Sequence, residues 1–174
     1  MAHRKWKDVL QVMQGGQTIV IGIDPDCEAS GVGYIHLGVA TCEVLPFPKL
    51  IDKLLSYKGE DVKIFIEGGW LISNNWHLKN THNRHQASAI GNSVGRNHET
   101  GRKICEMLDH HNMQYFVRKP LVKGWKGTDR KITHKELVEV LNEAGIVLLD
   151  NRTNQEERDA LLLAAVLADF EYRI

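Results

Sequence analysis

The sequence predicts an α/β domain built on a five-stranded mixed sheet with helices on both faces. Three strand-like segments come first, joined by short turns, as in an antiparallel meander. Two more alternate with helix-like segments, the pattern of parallel pairing. The chain has 174 residues and a mass of 19.7 kDa, which suits one domain with room for a sizeable core.

Residues 1–16 read as an N-terminal leader and 17–174 as the domain. The leader carries Trp6, Val9, Leu10 and Val12 in a short helical pattern, and Gly15-Gly16 breaks it. TIVIGIDPD (Thr18–Asp26) is a β-branched run that predicts a buried strand ending in a turn. GVGYIHL (Gly31–Leu37) and VATCEVL (Val39–Leu45) flank Gly38 and predict a hairpin. Pro48 opens a helix to about Tyr57, with Leu50, Ile51, Leu54 and Leu55 on one face and Gly59 as its stop. VKIFIE (Val62–Glu67) is the fourth strand, followed by a polar loop to Asn83.

A long helix spans about Arg84 to His111, its apolar face marked by Ile90, Val94, Gly101, Ile104, Cys105 and Leu108. Gly91, Gly95 and Gly101 are costly inside it and predict close packing against another backbone. MQYFV (Met113–Val117) is the fifth strand. Thr133 begins a helix with capping-box spacing to Glu136, and Gly145 ends it. The last helix runs from about Gln155 to Phe170.

Composition excludes several function classes. Lys+Arg and Asp+Glu both count 22, so the net charge names no polyanionic partner and any such argument is local. Cys27, Cys42 and Cys105 form neither a CxxC pair nor an even disulfide framework, which suits a reducing cytoplasm. The longest apolar run, Ala160–Ala168, has nine residues, about half of what a bilayer-spanning helix needs. The start, MAHRKWKD, lacks the apolar centre of a signal peptide. No membrane partner is expected.

The carboxylates carry the chemistry. Asp24 ends the first strand and Glu67 ends the fourth, so both sit at a sheet edge. Glu156 and Asp159 are three residues apart and share a helix face. If that helix crosses strands one and four, three segments bring four acids together. Such a cluster is unfavourable without cations. Two Mg²⁺ ions would neutralise it and support phosphodiester cleavage, and hard oxygen donors select Mg²⁺ or Mn²⁺ over zinc. Each acid also has a structural reading. Asp24-Pro25-Asp26 fits a turn, Glu156 fits a capping box from Thr153, and Asp159 fits a first-turn charge.

From Arg118 to Lys135 stand seven cations, Arg118, Lys119, Lys123, Lys126, Arg130, Lys131 and Lys135, against the single acid Asp129. That local surplus suits a phosphate backbone, or else a solvated loop. Trp125 among them would stack on a base or pack beneath the loop. His77, His82, His85 and His98 have spacings that fit no common zinc motif. Cys27, three residues after Asp24, has no activating neighbour in sequence.

The ordered set IGIDPD-x5-GVGYI, FIEGGW, a glycine-bearing long helix, a basic loop and ERDALLLAAVLA resembles the RuvC-type Holliday-junction resolvases of the RNase H-like superfamily, over about Thr18 to Phe170. By position, the resemblance implies Asp24, Glu67, Glu156 and Asp159 as the metal-binding acids, with Asp24 bridging two Mg²⁺ ions and water as the nucleophile. It implies that Lys123 or Lys126, and Lys135, contact scissile phosphates, and that Trp70 stacks on a base near the junction centre. Trp70 also fits a core aromatic. A homodimer acting on four-way DNA is implied as well. Asp26 stands where the family has glycine, and Glu156 where it has aspartate or histidine. Lys123-Gly-Trp-Lys126-Gly is closer to phage or mobile-element relatives than to the bacterial housekeeping form. Two other readings stay open: a non-catalytic DNA-binding protein on the same fold, and a nuclease for other branched DNA or RNA hybrids.

Overall fold

The structure is a computed structural model that describes residues 18–72, 84–121 and 124–167. The leader, Lys123 and the chain beyond residue 167 lie outside the described residues.

One sheet organises the chain. Strands β1 (Ile19–Asp24), β2 (Ser30–His36) and β3 (Val39–Leu45) form an antiparallel meander, while β4 (Val62–Glu67), β5 (Phe116–Arg118) and β6 (Val147–Leu148) join in parallel. The order is β5-β4-β1-β2-β3-β6. Leu37 and Gly38 both take positive φ, 49° and 75°, which is the two-residue geometry that matches strand twist in a hairpin.

Among the described residues the sheet has six strands rather than five. The two residues of β6 follow Gly145 too closely for any periodicity to announce them, and they pair with Val39 and Ala40. The fifth strand also begins later than its apolar run. Met113 is buried, but its N–H closes the preceding helix on the Leu108 carbonyl at 2.9 Å, so pairing starts at Phe116.

Helices α1 (Phe47–Leu55) and α2 (Arg84–His110) cover one face; α3 (His134–Glu143) and α4 (Gln155–Leu167) cover the other. Pro46 caps α1, and Pro48 sits within its first turn, where a missing N–H costs nothing. The α1/α2 core holds Ile21, Ile23, Val32, Leu50, Leu54, Ile64, Ile66, Ile104 and Leu108. The α3/α4 core holds Val20, Ile35, Phe65, Leu137, Leu141 and Leu161–Ala165. Each fully buried side chain of this size is worth about 1.5–3 kcal/mol. Among the described residues no helix is long and apolar enough to cross a membrane.

The glycines of α2 do not behave alike. Gly101 is buried against the edge of Trp70, a side chain rather than a backbone. Gly91 and Gly95 are exposed, and a Cβ at either would meet nothing within 4 Å. Among the described residues, nothing makes the close backbone packing expected of them.

Candidate active site

Strand alternation decides which way the acids face. Ile21, Ile23, Ile64 and Ile66 point into the α1/α2 core, so Asp24 and Glu67 point to the α4 face. The parallel register sets Ile23 opposite Ile66, and the next residues of the two strands are Asp24 and Glu67. On the other side of β1, Asp24 pairs with Gly31.

Three glycines let α4 settle on these strands. A Cβ at Gly22 would lie 2.8 Å from Ala164 N, one at Gly33 2.7 Å from Leu161 N, and one at Gly31 2.9 Å from Glu156 Cβ. Gly22 and Gly33 are register partners, as are Asp24 and Gly31. The first turn of α4 therefore lies over the strand pair that ends at Asp24. Asp159 is 9% exposed, and its Oδ1 accepts from Gln155 Nε2 at 2.8 Å. Gln155 Oε1 in turn accepts from Arg158 Nη2 at 3.0 Å, and Arg158 also donates to the carbonyls of Ile132 (2.8 Å) and Thr153. Gln155 and Arg158 thus orient Asp159, a role the sequence reading missed. The i, i+4 spacing of Gln155 and Asp159 was its only trace.

Glu156 is not the capping glutamate of its helix. Asn154 Oδ1 accepts from Glu157 N at 2.9 Å, and Glu157 Oε2 accepts from Asn154 N at 2.7 Å. Thr153 Oγ1 is instead engaged with His134 Nδ1 at 2.9 Å. The cap lies one residue later than Thr153-Glu156 spacing suggests, and Glu156 takes no part in it. Glu156→Gln is accordingly expected to leave the melting temperature nearly unchanged. If Glu156 is a metal ligand, Mn²⁺ binding measured by calorimetry is expected to weaken about tenfold or more in this variant. Equal binding would remove Glu156 from the site.

The Asp24-Pro-Asp turn divides its labour. Asp26 makes the turn, its Oδ1 accepting from Glu28 N at 2.8 Å, while Asp24 remains the last residue of β1. Among the described residues no three Asp, Glu, His or Cys side chains form a preassembled metal cluster. The four acids share a region rather than a point. As a donor set they offer carboxylate oxygens alone, which fits a hard divalent cation.

The basic segment borders this region at both ends. Arg118 is the β5 partner of Glu67, its guanidinium lies 5.6 Å from the Phe116 ring centre, and its buried Nε has no hydrogen-bond partner among the described residues. At the far end, Ile132 and His134 are bonded to Arg158 and Thr153 at the start of α4. Between them, Lys119 and Lys126 are exposed and Lys131 is half-buried, and Lys135, next after His134, is exposed. Lys126 N donates to Glu136 Oε1 at 3.0 Å, tying the loop to the capping box that Thr133 and Glu136 form at α3. Trp125 is half-buried and packs against the α3/α4 core.

Trp70 lies in the short 3₁₀ turn Gly69–Leu71 and is half-buried at the rim of the α1/α2 core. Its ring edge meets Gly101, and Arg102 stands 5.7 Å from its centre. The cysteines are free. Burial, reinforced by Asp150, pushes the Cys42 thiol up, and burial raises Cys105 as well, the opposite of what activates a thiol as a nucleophile. His77 and His82 lie outside the described residues.

No protein-family profile matches the chain, and no characterised protein matches it in sequence. Solved structures do. The Thermus thermophilus RuvC in complex with Holliday junction substrate is 13% identical, with a TM-score of 0.52 over 89% of this chain and 95% of that one. A second Thermus thermophilus RuvC structure is 14% identical, with a TM-score of 0.43 over 88% of this chain and 95% of that one. The yeast mitochondrial Holliday junction resolvase Ydc2 is 11% identical, with a TM-score of 0.42 over 96% of this chain and 86% of that one. With its mixed sheet clothed on both faces and its strand order about β1, the chain has the RNase H-like fold of RuvC.

Proposed function

We propose that the protein is a divalent-metal-dependent, structure-selective DNA endonuclease that resolves four-way junctions by paired phosphodiester hydrolysis. The observation that supports this reading is that Asp24 and Glu67 end neighbouring strands on the face covered by α4, whose N-terminal end, with Glu156 and Asp159, lies over Gly31 beside Asp24, while a basic segment begins at Arg118, the register partner of Glu67. The fold likeness to a RuvC that was solved with a Holliday junction supports the substrate.

Asp24, Glu67, Glu156 and Asp159 would hold two Mg²⁺ ions, with Mn²⁺ able to substitute. The chemistry that such ions would supply there is activation of a water and stabilisation of the leaving oxygen. The chain's own groups bind and orient. Gln155 fixes the Asp159 carboxylate. Arg118, Lys119, Lys123, Lys126, Lys131 and Lys135 supply positive charge to the DNA backbone, and Lys123 or Lys126 steadies the charge that develops on the phosphate in the transition state. Trp70 and Trp125 are the aromatic contacts to junction bases. The Lys123-Gly-Trp-Lys126-Gly loop belongs with the phage or mobile-element branch.

Two symmetric cuts need two sites related by a twofold axis, hence a homodimer. The exposed stretch of α2 around Gly91 and Gly95, open to a close partner, is the proposed interface.

The test is cleavage of a four-way junction, a linear duplex, a flap and an RNA–DNA hybrid, with and without Mg²⁺. Paired nicks in the junction alone, dependent on Mg²⁺ or Mn²⁺, are expected. Junction binding with no cutting at any metal concentration would assign a non-catalytic DNA-binding role. Preferential cutting of the flap or hybrid would reassign the substrate.

A further inference from the structure

The loops that leave β1 and β4 are both braced by the same stretch of helix α2. Asn97 Oδ1 accepts from Cys27 N at 3.0 Å, and Asn97 Nδ2 donates to Asp26 Oδ2 at 2.9 Å. Asp26 N donates to Ser30 Oγ at 3.2 Å, and Ser30 is buried. One turn along, a Cβ at Gly101 would lie 2.9 Å from Trp70 Cη2 and 3.3 Å from Pro25 Cγ. His98 closes on the other loop, where a Cβ at Gly69 would lie 2.7 Å from His98 Nε2. Residues 97, 98 and 101 therefore touch the two or three residues that directly follow Asp24 and Glu67.

We infer that Asn97 is a positioning residue, forming with Asp26 a polar latch that holds the loop after β1 to helix α2 and sets where the Asp24 carboxylate stands relative to Glu67. The inference rests on the metal-nuclease reading above. The latch is matched in polarity. An asparagine offers one acceptor and one donor end, and here the acceptor meets a backbone N–H and the donor meets a carboxylate. The second of these bonds is charge-assisted and the stronger kind. Asp26 replaces the glycine of the family the sequence resembles, so a glycine there would leave the donor end of Asn97 without its partner. The bonds span 70 and 71 residues of chain, so they lock two distant elements rather than tidy a local turn.

A reciprocal exchange tests it. Asn97→Asp sets a second carboxylate against Asp26. Asp26→Asn sets two amide donors against each other, or, if the Asn97 amide flips, one against the Cys27 N–H. The two changes together restore every bond: the carboxylate at 97 accepts from Cys27 N and from the amide at 26, whose oxygen still accepts from Glu28 N. Mn²⁺ binding to the full chain without DNA, followed by calorimetry, is expected to weaken about tenfold or more in each single variant and to return in the pair. On charge alone Asn97→Asp would tighten Mn²⁺, so weakening is the mark of lost positioning. Turnover at saturating junction is expected to fall and recover in the same pattern, with KM little changed. Asn97→Ala, which removes both bonds without repulsion, serves if a charged variant fails to fold. Unaltered protein that binds no Mn²⁺ would overturn the metal-nuclease reading and this inference together. Unaltered protein that binds Mn²⁺, with single variants that bind it equally well despite lower melting temperatures, would overturn the latch alone.

Discussion

Asp24→Asn is expected to bind a four-way junction as the unaltered protein does and to cut it more than about a hundredfold more slowly. Changes one step removed from a metal cost about 10–100-fold, and Asp24 is proposed as a direct ligand. The residue ends β1, faces the α4 side and has Glu67 as its neighbour on β4 and Gly31 as its partner on β2. Asparagine keeps the size and removes the charge, so the strand end has no reason to move. On the proposed reading, DNA affinity would come from a different set of groups, the cations from Arg118 to Lys135. Binding measured with Ca²⁺ in place of Mg²⁺, and single-turnover cutting with Mg²⁺, separate the two effects. Cutting at the unaltered rate would take Asp24 out of the mechanism. Loss of binding to the same extent as loss of cutting would make it a structural residue.

Much of this architecture was legible because β-branched apolar runs and a 3.6-residue period leave strong marks. Ile19–Asp24 and Val62–Glu67 were readable as strands with an acid at each end, and the structure turns both acids to one face. What was not legible is decided by competition at long range. Thr153-x-x-Glu156 and Asn154-x-x-Glu157 both fit a capping box. The second wins where His134, from another helix, engages the Thr153 hydroxyl. Strand β6 is two residues long and exists through its pairing with Val39 and Ala40. Asn97 sits in the middle of a helix with no neighbouring motif, and its partners are some 70 residues away. The glycines of α2 looked alike in sequence, yet Gly101 meets Trp70 while Gly91 and Gly95 meet none of the described residues.

Gly31→Ala is expected to injure both the fold and the site, although it adds one methyl group. The alanine Cβ would fall on the backbone carbonyl of Glu156 and 2.9 Å from its Cβ. Main chain cannot rotate aside as a side-chain tip can, so α4 must lift from the sheet. Overpacking of this kind costs about 1–3 kcal/mol. Relief by sliding α4 along the strands is blocked, because Gly22 against Ala164 and Gly33 against Leu161 are equally close. The lift is greatest at the N-terminal end of the helix, where Glu156 stands in the first turn and Asp159 directly follows it. A displacement of about 1 Å at such a site costs about a hundredfold in rate. Gly31→Ala should therefore lower the melting temperature and slow junction cutting far more than it weakens junction binding, since the basic segment lies outside this contact. Gly59→Ala is the control for folding: its φ of 95° strains any side chain, but nothing lies within 4 Å and the site is remote. If Gly31→Ala loses stability to the extent that Gly59→Ala does and still cuts at the unaltered rate, close seating of α4 on β2 does not set the position of the acids.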